Sequence, residues 1–503
     1  MTLLIRNVQI VGGDKEFAGP MDVFVNNDTI SAIGKFPNKK ADTVLDGQGA
    51  YLSPGFIDVN TDSDHYLTLF DYPSQEDFLK QGVTTIMGGV CGSSLAPIAY
   101  GTLESIQKWG DPGRVNVNWH TVDEFLRVLD KKPLAVNFGT LAGHSTIRRA
   151  LVGEPLRDIT KNEINVFART LEESLKEGAF GMSTGLSYVH ARNTPYLELS
   201  FLTDIVARFR GVYATHLRDN TMEIVPAVEE TIRIAKERKV KTLISHFMPI
   251  VGAEKNYEDA LALVNGLPAD VDLRFDVYPS ASSLVPIYTF LPLWAQNGGV
   301  GVMLANTKDA WLLARIKKDM SPLAEDDFVI ATAPGNDFLV GRSLRDIKQM
   351  YGLRDGRDAL LKLMATMGMK GSVLYKNINS VLALKALASP RSFVASNAPS
   401  FGRDAKRKQL KSERTTSTFT KFLSLVEHEN LMPFGDAIAK ITREPAKMFD
   451  LKRRGVVKEG NYADLVCFKG DEVRFTVVNG VAAEIGGEFQ EKLPGKALRH
   501  KAA

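Results

Sequence analysis

Seven short apolar runs recur along the middle of the chain with helical stretches between them, and no other feature narrows the fold as far. They are Thr84-Thr85-Ile86-Met87, Leu134-Ala135-Val136-Asn137-Phe138, Phe180-Gly181-Met182-Ser183, Val212-Tyr213-Ala214-Thr215, Thr242-Leu243-Ile244-Ser245, Leu273-Arg274-Phe275-Asp276 and Ser392-Phe393-Val394-Ala395. Amphipathic helical patterns, such as 164–177 and 223–239, fill the gaps. Strands that alternate with helices build a parallel sheet covered by those helices. The number of repeats favours closure into a (β/α)₈ barrel over an open sheet.

The two chain ends read differently. Leu3-Leu4-Ile5-Arg6-Asn7-Val8, Asp22-Val23-Phe24-Val25 and Thr29-Ile30-Ser31-Ala32-Ile33 alternate apolar and polar residues with Gly and Asn between them, a hairpin pattern. From about Gly455 the pattern returns in Ala463-Asp464-Leu465-Val466-Cys467-Phe468 and Phe475-Thr476-Val477-Val478, followed by the turn Asn479-Gly480. One small sheet domain assembled from both termini accounts for this. The expected division is 1–53 and 443–503 for that domain and 54–442 for the barrel, with an insertion at 283–346 where the βα rhythm breaks.

Composition excludes several classes of function. The 503 residues are 44% hydrophobic and 24% charged, with a formal net charge of +3, so neither nucleic acid nor an anionic membrane is an expected partner. The run Lys406, Arg407, Lys408 and Lys411 reads as a solvated loop. Gly12 and Gly13 interrupt the N-terminus before a signal-peptide core forms, and no apolar run approaches the ~18 residues of a membrane span, so the expected location is cytoplasmic. Cys91 and Cys467 are the only cysteines, which leaves no disulfide framework.

In such a barrel, reactive groups sit at the C-terminal ends of strands, where separate strands converge on one mouth. Three soft ligands occupy that position: Cys91 closes GVTTIMGGVC, His216 closes GVYATH and His246 closes KTLISH. One thiolate with two imidazoles suits zinc, and a fourth position left to water makes such a site catalytic in form.

The run Ser53-Pro54-Gly55-Phe56-Ile57-Asp58-Val59 resembles that of amidohydrolases, which ends in histidine-x-histidine; here the ending is Asn60-Thr61-Asp62-Ser63-Asp64. QGVTTIMGGVCGSSLAP, LAGHSTIRR, EGAFGMSTGLSY, GVYATHLRD, ISH, DVYP, LVGRSL, REPAKMFDL and EGNYADLV follow in the order of the D-aminoacylase branch, the N-acyl-D-amino-acid deacylases. This resemblance covers nearly the whole chain. It implies a (β/α)₈ barrel with a small β-sandwich domain from both ends, and Cys91, His216 and His246 as ligands of one tightly held zinc.

The same resemblance marks departures. The family's histidine pair falls on Asn60 and Asp62, and its general-base aspartate, after Phe393-Val394-Ala395-Ser396, falls on Asn397. An amide side chain has no basic lone pair near neutral pH. General-base catalysis contributes roughly 10²–10⁴-fold, so the family mechanism would be impaired. Asp62 and Asp64 are the available substitutes, as oxygen ligands or as a relocated base; the alternative for both is a hydrogen-bonded loop. Arg414, in ERTTSTF, matches the arginine that anchors the substrate carboxylate, while Tyr188 and Tyr278 match tyrosines beside the substrate. A family lysine is replaced by Met248, and His144 reads as structural. His65, His120, His190, His428 and His500 are expected at the surface or behind the site.

Two functions follow as expectations. The first is a zinc-dependent hydrolase of a carbon–nitrogen bond in an N-acyl amino acid or similar small amide. The second is a catalytically silent homologue that binds one zinc and a carboxylate ligand.

Overall fold

Parallel strands buried on both faces read as continuous apolar runs, because neither side turns to water. The computed structural model bears this out across a barrel of eight strands. They are β1 (Phe56–Asp58), β2 (Val83–Gly88), β3 (Asn137–Thr140, continued by Ala142–Gly143), β4 (Gly181–Gly185), β5 (Val212–His216), β6 (Lys241–Ile244), β7 (Leu273–Val277) and β8 (Ser392–Val394). Every residue of β2 and β4 is buried. The structure describes residues 1–98, 103–106, 109–110, 113, 115–153, 157–321, 324–402 and 409–501, so Lys406, Arg407 and Lys408 of the basic run lie outside the described residues.

Strands β1, β2 and β3 pair in parallel, and Ala142–Gly143 carries the ring on to β4. From there β4 to β8 pair in parallel in chain order. Between β8 and β1 the seam is joined at the strand ends. The Ser396 N–H donates to the Asp58 carboxylate at 3.1 and 3.2 Å, and the Asn397 N–H donates to the Asn60 carbonyl at 2.8 Å.

Outer helices follow the expected patterns with shifted starts. The pattern at 164–177 forms Lys161–Lys176, because Thr160 accepts from the Glu163 N–H at 3.3 Å while the Glu163 carboxylate takes the Thr160 N–H at 2.7 Å. That capping box satisfies two otherwise unpaired donors and begins the helix before its apolar stripe. The pattern at 223–239 forms Ile224–Arg238. Among the described residues no helix is long and apolar enough to cross a membrane.

Both chain ends contribute to one nine-stranded sheet. Tyr51–Pro54 from the N-terminal part pairs antiparallel with Leu465–Lys469 from the C-terminal part, over a core that includes Leu3, Ile5, Val23, Leu52, Leu465 and Phe475. A buried polar network fastens this sheet to the barrel floor. Asn137 Nδ2 donates to Asp464 Oδ2 at 3.1 Å and to the Thr84 carbonyl at 3.1 Å, and Asn137 Oδ1 accepts from Asn479 Nδ2 at 2.8 Å and from the Lys496 N–H at 3.1 Å.

A second small sheet interrupts the barrel between β7 and β8. Strand Ser372–Tyr375 lies between Ser283–Pro286 and Phe328–Thr332, antiparallel to both, over a separate core that includes Ile287, Phe328, Ile330, Leu360 and Val373. Sequence reading ends this insertion at 346, whereas its central strand reaches Tyr375. The physical reason is that helix Gly356–Thr366 followed by a short apolar strand has the same local signature as a barrel repeat. Only its pairing partners distinguish the two.

Replacing Asn137 by Leu removes one buried partner each from Asp464, Asn479 and the Thr84 carbonyl, and the acceptor of the Lys496 N–H. The expected loss is about 3 kcal/mol of unfolding free energy, read as a lower urea midpoint with an unchanged m-value.

Candidate active site

The sharp turn after β2 delivers the first functional side chain. Gly89, at φ +70°, sits where a Cβ would collide with the Leu141 carbonyl oxygen, so only glycine lets the chain reverse there. Cys91 follows at φ 52°, His246 after β6 has φ 37°, and Asn397 after β8 has φ 44°. Side-chain-bearing residues avoid this left-handed region by roughly 1 kcal/mol or more each, and such strain concentrates at functional sites. The packed strands hold it here.

Cys91, His216 and His246 come together as expected, each offering a ligand atom within 4.8 Å of the others. Cys91 Sγ lies 3.3 Å from His246 Nε2, and the two imidazoles meet edge to face at 4.3 Å between centroids. His216 Nε2 is engaged by Ser187 Oγ at 2.7 Å and Asn220 Nδ2 at 3.1 Å, so ligation by this ring falls to Nδ1. The His246 backbone N–H donates to Asp276 Oδ1 at 2.8 Å, which fixes the loop that carries the ring. Burial first, and then the Arg414 charge, push the His246 imidazolium down to about 4, leaving a neutral ring at ordinary pH. Metal ligation requires that neutral form. A thiol and two imidazoles converging in this way fit a divalent metal, and Asp62 and Asp64 stand outside the cluster.

Acidic groups surround it in two tiers. Asp58 and Asp276 are completely buried. Burial pushes them up to about 8 and about 7, against the donors from Ser396 and Asn60 on Asp58 and from His246 and Asn60 on Asp276. Asn60 Nδ2 donates to Asp276 at 3.2 and 3.3 Å, so its amide is already engaged. Asp64 accepts the Gly89 N–H at 2.6 Å and clamps the turn that carries Cys91. Asp62 is the one of these acids with side-chain exposure, 11%, and its Oδ1 lies 2.9 Å from His65 Nδ1. Its charge reaches the site: it opposes the fall of His246, and it adds to burial in lifting the Tyr66 and Tyr188 hydroxyls.

Arg414 is 1% exposed. Its Nε donates to the Ser396 carbonyl at 2.9 Å, its guanidinium lies over the Tyr278 ring at 4.2 Å, and its Nη2 has no partner among the described residues. A buried cation with an unused donor is a strong pull on an anion. Tyr188 stands 5.1 Å from the His216 ring. Met248 is buried and brings no cation. His144 is held by Glu198 Oε1 at 2.8 Å, an oxygen that Arg148 shares at 3.1 Å, an arrangement that anchors a helix start.

Of the histidines expected at the surface or behind the site, His65 is fully buried and holds Asp62, a contact that sequence reasoning did not identify, and His500 is 5% exposed against Phe180. Burial of a lone histidine leaves no local trace. The Asp62-Ser63-Asp64-His65 spacing was the available signal.

No family model matches the chain. It is 28% identical to an N-acyl-D-aspartate deacylase of Alcaligenes xylosoxydans xylosoxydans over 92% of this chain and 85% of that protein. A D-aminoacylase of the same organism is 28% identical over 93% of this chain and 87% of that one. A solved D-aminoacylase, described as defining a novel subset of amidohydrolases, superposes with a TM-score of 0.79 at 26% identity over 99% of both chains. Over nearly its whole length the chain is similar in sequence and fold to the D-aminoacylase branch of the amidohydrolases. The N-acyl-D-glutamate deacylase of Bordetella bronchiseptica, at 24% identity and a TM-score of 0.78 over 99% of both chains, shares the D-aminoacylase fold.

Cys91→Ala is expected to keep the fold and to lower bound divalent metal at least about 10-fold at equal free metal, measured by elemental analysis alongside circular dichroism.

Proposed function

We propose that this D-aminoacylase relative is a zinc-dependent hydrolase of the carbon–nitrogen bond of N-acyl-D-amino acids, with one zinc per chain. The observation that carries this reading is the pairing of a converged Cys91, His216 and His246 with the buried, partly unpaired Arg414 guanidinium, one residue's reach from Asn397 through the Ser396 carbonyl. The relatives named above, an N-acyl-D-aspartate deacylase and a D-aminoacylase, support the substrate class. A 26% identical D-aminoacylase is described as activated by one metal and attenuated by a second, which supports a single working metal. Here the positions of the histidine pair are committed elsewhere: the Asn60 amide is held by Asp276, and Asp62 is held by His65.

Zinc on the three ligands would polarise the acyl carbonyl and ease loss of a proton from water. Arg414 binds the substrate carboxylate, supported from behind by Tyr278, and so sets which face of the amide turns to the ligands. Tyr188, beside His216, borders the acyl group. Asp62, the least buried of these acids, takes the proton as water oxygen bonds to the acyl carbon. It returns that proton to nitrogen as the carbon–nitrogen bond breaks, giving a carboxylic acid and a free amino acid. Asn397 supplies polarity and no basicity at the position of the family aspartate.

Asn397 is also the observation that favours the second reading, a silent homologue that binds one zinc and a carboxylate. A screen of the zinc-loaded chain over N-acetyl and N-formyl D- and L-amino acids, dipeptides and cyclic amides separates the two. Turnover confined to the D-series is expected, and inertness toward every compound would leave the silent reading. Asn397→Asp is expected to raise kcat by about 10-fold or more, since it restores a second base. Arg414→Lys is expected to raise KM for the same substrates by about 10-fold with a smaller change in kcat, because a point charge replaces a planar fork.

A further inference from the structure

His65 is a fully buried ring held on both nitrogens and on one face. Its Nε2 lies 3.0 Å from the Ser93 carbonyl oxygen and its Nδ1 lies 2.9 Å from Asp62 Oδ1. Its face stacks on Trp109 at 8° and 4.2 Å between centroids. A carbonyl oxygen only accepts, so Nε2 carries a hydrogen. A carboxylate also only accepts, so a second hydrogen lies on Nδ1, and the ring is a cation. Burial opposes that charge, but the Asp64 and Asp62 carboxylates outweigh it, and His65 holds its proton more tightly than an ordinary histidine. The groups that face the ring are therefore Asp62, Asp64, the Ser93 carbonyl and Trp109.

We propose that His65 is a positioning residue that grips Asp62 by Oδ1 and leaves Oδ2 turned toward the attacking water. Ser93 lies two residues beyond Cys91, so the same ring ties the acid to the turn that delivers the thiolate. One imidazole thus sets the distance between the proton acceptor and the ligand cluster. The buried cation also balances the acids left at the mouth, where Asn60 and Asp62 stand in place of a histidine pair. This inference rests on the reading of Asp62 as the base.

Two isosteric variants separate the two ring nitrogens. His65→Asn keeps a donor near the position of Nδ1, whereas His65→Gln keeps one near that of Nε2 and releases Asp62. Expected are a fall in kcat of about 10-fold or more for His65→Gln and less than about 3-fold for His65→Asn, with KM and zinc content unchanged in both. In a cycle with Asp62→Asn, the double variant Asp62→Asn/His65→Gln should be no slower than Asp62→Asn alone. Equal losses in the two His65 variants, or additive losses in the cycle, overturn the proposal. If Asp62→Asn turns over as well as the wild type, the base assignment itself fails.

A readout free of turnover completes the test. In ¹⁵N-histidine spectra of the full chain at pH about 8, well above the ordinary histidine value of about 6.5, the ring signal lost in His65→Gln should show both nitrogens protonated. Asp62→Asn should convert it to a neutral ring protonated on Nε2. A neutral His65 in the wild type overturns the proposal whether or not any amide is cleaved.

Discussion

Everything at the mouth of this barrel depends on the seam where the last strand meets the first. β1 and β8 are joined through the buried Asp58 carboxyl, which accepts from Ser396, and through the Asn60 carbonyl, which accepts from Asn397. Closure at that point brings the ends of β2, β5 and β6 round to face one another, so that a thiol and two imidazoles far apart in sequence share one small volume. Without it, the same strands would splay their C-terminal loops along an open edge. The seam also runs through Asn60 and Asn397, whose backbones share one of the bonds that close it.

Side chains around the seam are engaged by hydrogen bonds. Asn397 has a left-handed backbone and donates its N–H to the Asn60 carbonyl, and its amide side chain offers no base. Asn60 turns its amide to Asp276, an acid that burial pushes up to about 7 and that also holds the His246 loop. Asp62 is drawn to His65, and Asp64 is spent on the Gly89 turn. The charges on this side of the mouth are thus settled by hydrogen bonds and one buried imidazole. On the other side the three soft ligands stand together with a buried arginine whose Nη2 is unused among the described residues.

Several features were legible before the fold was known. The apolar runs named the strands, since a strand hidden on both faces has no alternation to obscure it. The placement of Cys91, His216 and His246 at run ends named the ligand cluster, because in a barrel sequence position along the strand is height above the floor. Other features were not. The far end of the insertion was misread at 346, since strand Ser372–Tyr375 differs from a barrel strand only in its partners. His65 was passed over because nothing within a few residues reports that Trp109 will lie over its face and the Ser93 carbonyl beneath its edge.

The sequence by itself therefore determined the barrel and the sheet built from both ends, which follow from local periodicity, and it singled out Cys91, His216 and His246, which the fold brings together. Only the tertiary structure decided how far each acid near the mouth is buried. Asp58, Asp62, Asp64 and Asp276 are chemically alike, and they differ in burial and in the donors that reach them across the barrel, up to 338 residues away for Asp58. A carboxyl group's readiness to hold or release a proton is set by desolvation and neighbouring charge, quantities that exist only once the chain has closed.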